Sequence, residues 1–172
     1  GSGAVIFLTV GTQLPFDRLV RAVDAWAGTA GKGGAVFGQI AEPGPAGYVP
    51  RNFAWVPHLD PQSFDARFAA AELIVAHAGM GSIIGALAAQ KPILVLPRRA
   101  KFGEQRNDHQ LATARRFAGR PGVTVCMEEA ELGPALDGLL ANPAAMAALP
   151  IGAEASPELL ATLRAFVFES AR

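Results

Sequence analysis

The chain has 172 residues, 51% of them hydrophobic, and its 15 Lys and Arg balance 15 Asp and Glu. That length suits one domain with a proper core, and the balanced charge disfavours a nucleic-acid groove or a strongly anionic membrane patch, either of which calls for a basic excess. The only cysteine, Cys126, cannot form an intrachain disulfide, which fits a reducing compartment. Residues 1–3 read as a cloning scar, and no cleavable signal is visible.

In chain order, residues 4–10 form a continuous apolar run and predict a fully buried strand, closed by Gly11-Thr12. Phe16, Leu19, Val20, Val23 and Trp26 then recur at helical spacing, predicting a helix over 16–27 with Pro15 and Asp17 near its first turn. Residues 28–34 read as a turn, 35–40 as a second strand, 42–50 as an irregular loop and 53–56 as a third strand. Asp60 or Ser63 is placed to cap a short helix ending near Ala70. A strand over 73–76 and a helix over 82–89 follow, then a strand over 92–96 and a helix over 107–117. A last strand covers 123–126, with Cys126 in strand core rather than in a reactive setting. Helices over 128–140 and 157–168 end the chain.

Residues 73–89 carry no formal charge and approach membrane-span length. Against a span stand His77, Gly79, Gly81, Ser82 and Gly85 in its middle, so a buried strand followed by a buried helix explains them better. Strands apolar on both faces and alternating with helices predict one α/β domain: a single Rossmann-like open parallel sheet with helices on both faces. Ligands of such sheets lie outside the carboxyl ends of the strands. Three loops matter there: residues 11–15, 77–82 and 97–110.

In the first, Gly11 permits tight geometry while Thr12 and Gln13 bring hydrogen-bonding side chains; an ordinary turn explains them equally well. In the second, a strand breaks at glycines and restarts as a helix, whose first amides lack partners and favour an anion. His77 either stays buried against a carbonyl or meets the ligand. Gly79, Met80 and Gly81 bring backbone close, and Ser82 can cap the helix, bond a phosphate, or both. The third loop holds Arg98, Arg99, Lys101, Glu104, Gln105, Arg106, Asn107, Asp108, His109 and Gln110. A solvated charged loop is the plain account; recognition of an anionic, hydroxylated ligand is the sharper one. Asn107 and Asp108 are also placed to cap the next helix. No metal-site spacing is present among the histidines and acids.

Taken together, Thr9-Val10-Gly11-Thr12, His77-Ala78-Gly79-Met80-Gly81-Ser82-Ile83 and Asn107-Asp108-His109-Gln110 resemble the donor-binding half of family 28 GT-B glycosyltransferases. The similarity is greatest to the small catalytic subunits of split enzymes: the dolichol-linked N-acetylglucosaminyltransferase subunit and bacterial exopolysaccharide glycosyltransferase subunits. The resemblance implies an inverting hexosyltransferase with a UDP-sugar as substrate and no cofactor or metal. It puts Gly11, Thr12 and Gln13 near the diphosphate or sugar, His77, Gly79, Met80, Gly81 and Ser82 around the diphosphate, and Asn107, Asp108, His109 and Gln110 at the donor sugar. It also implies a membrane-anchored partner subunit that brings a lipid-linked saccharide acceptor and the catalytic base. The chain would then be cytoplasmic, peripheral to the inner face of the membrane through that partner. Within the chain His77 and His109 are weak candidates for the base, and Leu159, Leu163, Phe166 and Val167 either form part of a docking helix or, equally well, pack on the chain's own sheet. Many relatives carry a ribose-binding acid near Gly85, which this chain lacks.

Arg98, Arg99, Lys101 and Arg106 can pair with a carboxylate, which points to UDP-glucuronate as donor; alternatively these cations face a diphosphate. Two other functions are compatible with the residues. One is an NADP-binding Rossmann reductase, from the Gly-x-Gly-x-x-x-Gly spacing of Gly79, Gly81 and Gly85 followed by Arg98-Arg99. The other is a non-catalytic nucleotide-sugar-binding subunit.

Overall fold

The run Ile6–Thr9 is buried at every position and forms the central strand, β1. The computed structural model describes residues 5–142; residues 1–3 and the helix expected over 157–168, with its docking residues Leu159, Leu163, Phe166 and Val167, lie outside them. Five further strands pair with β1 in one parallel sheet: β2 (Val36–Gln39), β3 (Ala54–Val56), β4 (Leu73–His77), β5 (Ile93–Leu96) and β6 (Val123–Val125). Their order is β3-β2-β1-β4-β5-β6. The chain winds outward from β1 to β3, then crosses back to β4 on the other side of β1, so loops diverge between β1 and β4 and leave a crevice at their carboxyl ends. Thr9 sits beside Gln39 on one flank and Ala76 on the other, which places Gly11 and His77 at the same sheet edge.

Alternation along β1 sorts the core. Ile6 and Leu8 join a cluster with α1 (Asp17–Ala30) and α5 (Leu132–Ala141), while Phe7 joins one with α2 (Pro61–Ala70), α3 (Met80–Ala88) and α4 (His109–Phe117). Both faces of the sheet are therefore covered by helices, as the doubly apolar strands require. The helix expected over 16–27 continues to Ala30 and stops where Gly31 turns left-handed at φ 66°. Asp24 lies inward on α1, buried, and its carboxylate accepts from Tyr48 Oη and from the Arg51 and Asn52 amides; it ties down the loop before β3.

Two helix starts differ from expectation. α3 begins at Met80, because extended Gly79 (φ −76°, ψ 139°) already closes the turn; Ser82 is thus inside the helix and does not cap it. α4 begins at His109, with Asn107 Oδ1 accepting the His109 amide at 3.0 Å, whereas Asp108 makes no side-chain cap to it. The last described helix, α5, follows a short 3-10 turn over Glu129–Glu131.

Candidate functional site

A cleft of about 840 Å3 opens at the carboxyl ends of β1 and β4 and runs down between α2 and α3. Gly11, Thr12, Gln13, His77, Gly79, Gly81, Ser82, Arg98 and Gln110 all line it. Its floor is made by the start of α3. Ile83 donates to the Gly79 carbonyl at 3.2 Å, so the Met80, Gly81 and Ser82 amides have no intrahelical acceptor, and no side chain caps that end. Met80 itself does not line the cleft; its side chain packs against the apolar cluster below.

Arg98 organises the rim. It is 3% exposed, and its five N–H groups are all engaged. Nη2 donates to the Val10 and Leu14 carbonyls at 2.6 and 2.7 Å, and Nη1 donates to those of Pro15 and Glu104 at 2.9 and 3.4 Å. Nε donates to His77 Nδ1 at 3.2 Å, and the guanidinium lies 4.8 Å from the centre of the Phe16 ring. Burial brings its pKa down to about 10, which leaves it a cation at neutral pH. The arginine expected to meet a ligand anion therefore clamps the loop after β1 to the end of β4.

His77 stands between Gly11 and Gly79. A Cβ on Gly79 would lie 2.6 Å from its Nε2, and one on Gly11, where φ is +85°, 2.8 Å from its Cε1. Glycine is needed at both places for the ring to fit, and at Gly11 for the backbone as well. Gln110 Nε2 lies 3.0 Å from His77 Nδ1, on the same edge as Arg98 Nε. Burial, reinforced by the nearby Arg98 charge, lowers the His77 pKa to about 3. The ring is neutral at pH 7. A second buried network holds the β1 loop: Thr9 Oγ1 donates to Gln39 Oε1 at 2.7 Å, and Gln39 Nε2 donates to the Gly11 and Pro57 carbonyls.

The rest of the charged loop turns elsewhere. Arg99, Asn107, Asp108 and His109 do not line the cleft. Arg99 Nη1 lies 3.6 Å from Glu128 Oε1, and Asp108 Oδ1 accepts the Ala100 amide. Lys101, Arg106 and His109 are exposed. Arg18 of α1 grips the loop from below, bonding Glu104 through Nε and Nη2 at 3.0 Å each and Glu129 through Nη1 at 2.9 Å. The four cations expected to gather around a donor carboxylate are thus dispersed, and only Arg98 reaches the cleft.

Residues that the sequence did not single out line the remainder. Phe64, Asp65, Phe68 and Ala69 present one face of α2 to the cleft, opposite Gly85, Ala88 and Ala89 of the α3 side. A Cβ on Gly85 would meet only Phe68 Cζ, at 3.9 Å, so the missing acid leaves room rather than a packed contact. Gln105 also lines the cleft, and its Oε1 is buried without a partner. Gln39, which holds the β1 loop without lining the cleft, had a readable signal, since an amide at the end of a buried strand must find partners. Cys126 is buried, and burial pushes its thiol up to about 11, which suits the inert setting expected of it. Among the described residues no group of His, Cys, Asp and Glu is arranged to hold a metal ion.

The pattern of the glycosyltransferase family 28 C-terminal domain matches residues 5–160. The chain belongs to this family. Solved structures share its fold at low identity. They include the glycotransferase of kitacinnamycin (23% identity, TM-score 0.58, covering 95% of this chain and 40% of that one) and Acinetobacter baumannii MurG (15%, 0.64, 95% and 46%). A third is ALG13, matched at 19% identity and a TM-score of 0.56 over 79% of this chain and 85% of that one. The chain thus spans less than half of the first two proteins but nearly the whole of the third. No curated protein matches it at a significant level.

Proposed function

We propose that the chain is the donor-binding and catalytic part of an inverting glycosyltransferase that moves a sugar from a nucleoside-diphosphate sugar, with UDP as the nucleotide. The observation that carries this is the uncapped start of α3, opening on the cleft of about 840 Å3 at the sheet's switch point, in a chain of family 28. Three unpaired amides and the positive end of the helix dipole suit a diphosphate. They suit it better as it departs, when negative charge develops on the β-phosphate; donors already fixed in place stabilise that charge without reorganisation. Gly11, Thr12, Gln13 and Ser82 line the same cleft, and Gly79 makes room for the His77 ring beside it.

The acceptor and the catalytic base come from a second half. The chain covers less than half of each of the first two related structures, and the half it does not cover is where the acceptor site would lie. A membrane-anchored partner presenting a lipid-linked saccharide at the cytoplasmic face is the arrangement that fits the resemblance to split enzymes. Among the described residues no helix is long and apolar enough to cross a membrane. His109 is an unsuitable base in this arrangement, because it does not line the cleft.

A neutral donor sugar is favoured over glucuronate, since the one guanidinium that the described residues bring to the cleft has no N–H left for a carboxylate. Calorimetric titration with UDP, UDP-glucose, UDP-glucuronate and NADPH tests the whole assignment. Binding of UDP and UDP-glucose is expected, with no gain for glucuronate; binding of NADPH alone would favour a reductase and overturn it.

A further inference from the structure

The hydrogen bonds around His77 fix which of its nitrogens carries the proton. The Arg98 backbone N–H is a donor only, and it lies 3.0 Å from one end of the Gln110 amide, so that end is the carbonyl Oε1. The other end, Nε2, is then the one 3.0 Å from His77 Nδ1, and it can only donate. Arg98 Nε, also a donor only, points at the same nitrogen from 3.2 Å. Nδ1 is therefore the lone-pair nitrogen. In a neutral ring the proton sits on Nε2, between Gly11 and Gly79 at the edge of the cleft, where it has no partner among the described residues.

We propose that Gln110 and Arg98 are positioning residues that lock His77 in its Nε2–H tautomer, so that the ring offers a fixed hydrogen-bond donor, and not a base, to phosphate oxygens in the cleft. This builds on the donor site proposed above. Gln110 is 5% exposed, with its Oε1 on the Arg98 amide and its Nε2 on His77. It acts on the ligand through the imidazole, beside the direct sugar contact expected from its place in Asn107-Asp108-His109-Gln110, for which its second Nε2–H is free. A base would need an open lone pair toward the acceptor hydroxyl. Here the lone pair faces inward, onto two donors. The neighbouring Arg98 cation also opposes a second proton on the ring, which keeps the donor neutral.

Long-range 1H–15N imidazole spectra of the 172-residue chain without ligand decide the point. The wild type is expected to show His77 as the pure neutral Nε2–H tautomer at pH 5 to 8, and Gln110→Ala is expected to admit the other tautomer. Isothermal titration with UDP supplies the second arm. His77→Gln sets its amide where Nε2 stands and should hold UDP within about threefold of wild type. His77→Asn sets it where Nδ1 stands and should lose about tenfold or more, the worth of one hydrogen bond to a charged group. An Nδ1–H or imidazolium spectrum in the wild type overturns the inference whatever UDP does. So does a Gln110→Ala chain with wild-type tautomer and affinity. A pure Nε2–H spectrum in a chain that ignores UDP would instead overturn the donor site and leave the tautomer assignment standing.

Discussion

Two helices pack side by side on one face of the sheet and begin in opposite ways. At α2, Asp60 accepts the Ser63 amide at 2.7 Å and the Ser63 hydroxyl at 3.0 Å, and Pro61 occupies the first helical position, where a missing N–H costs nothing. At α3 the cap is Gly79, with no side chain to offer, and Gly81 and Ser82 of the first turn line the cleft. The first end is closed by its own sequence. The second is left open, at a cost in stability that a bound anion would offset. The difference marks the candidate binding site more sharply than the density of charge does, because the chain's most charged loop turns largely onto itself.

The largest effect should follow from removing the clamp on the open end. Arg98→Met leaves four backbone carbonyls without their donor, and about 3 kcal/mol or more of stability should be lost in urea denaturation, with UDP binding abolished. Asp60→Ala on the closed end should leave UDP affinity unchanged and lower Tm by roughly 2–4 °C, as loss of a cap does in a chain of this length.

Acid separates the two ends by window. The unfolded chain binds a proton on His77 near pH 6.5, and the folded chain does not until about 3, so stability should fall as pH drops between those values, by up to about 1.4 kcal/mol per pH unit from this group. At the closed end, the bonds from Ser63 hold the Asp60 carboxyl below its ordinary value. Its contribution is complete above pH 3.8 and is lost only as pH falls through its lowered value. A His77→Gln chain should therefore lose the upper slope and keep the lower one, as read by denaturation midpoints across pH 3 to 7.

A smaller change sharpens the contrast further. Gly81→Pro removes one amide in the first turn of α3, where proline is tolerated, and should weaken UDP about tenfold with little change in Tm.

Much of this architecture was legible in the chain. The apolar runs at 4–10, 73–76 and 92–96 and the helical spacing of Phe16 to Trp26 each found their element, because a strand buried on both faces and an amphipathic helix leave unmistakable periods. Asp60 as the cap of α2 was legible as one of two choices. The first turn of α3 was not, since Gly79-Met80-Gly81 reads equally as loop, and only the extended geometry of Gly79 shows the helix starting there. The direction of Arg98 was hidden for a different reason. An arginine at the end of a buried strand can reach inward to carbonyls or outward to a ligand, and the choice depends on where the β1 loop comes to lie, a contact 83 to 88 residues away in sequence. Likewise α2's contribution to the cleft follows from the crossover that lays it beside α3, and no local spacing of Phe64 or Phe68 announces it.

The central claim is that the Met80, Gly81 and Ser82 amides cradle the diphosphate of a nucleotide sugar. Backbone 1H–15N spectra recorded during a UDP titration test it most directly. The largest shifts should fall on those three amides, with smaller ones at Gly11–Gln13 and none at the start of α2. A titration that leaves residues 80–82 unmoved, or that moves the α2 start instead, would contradict it.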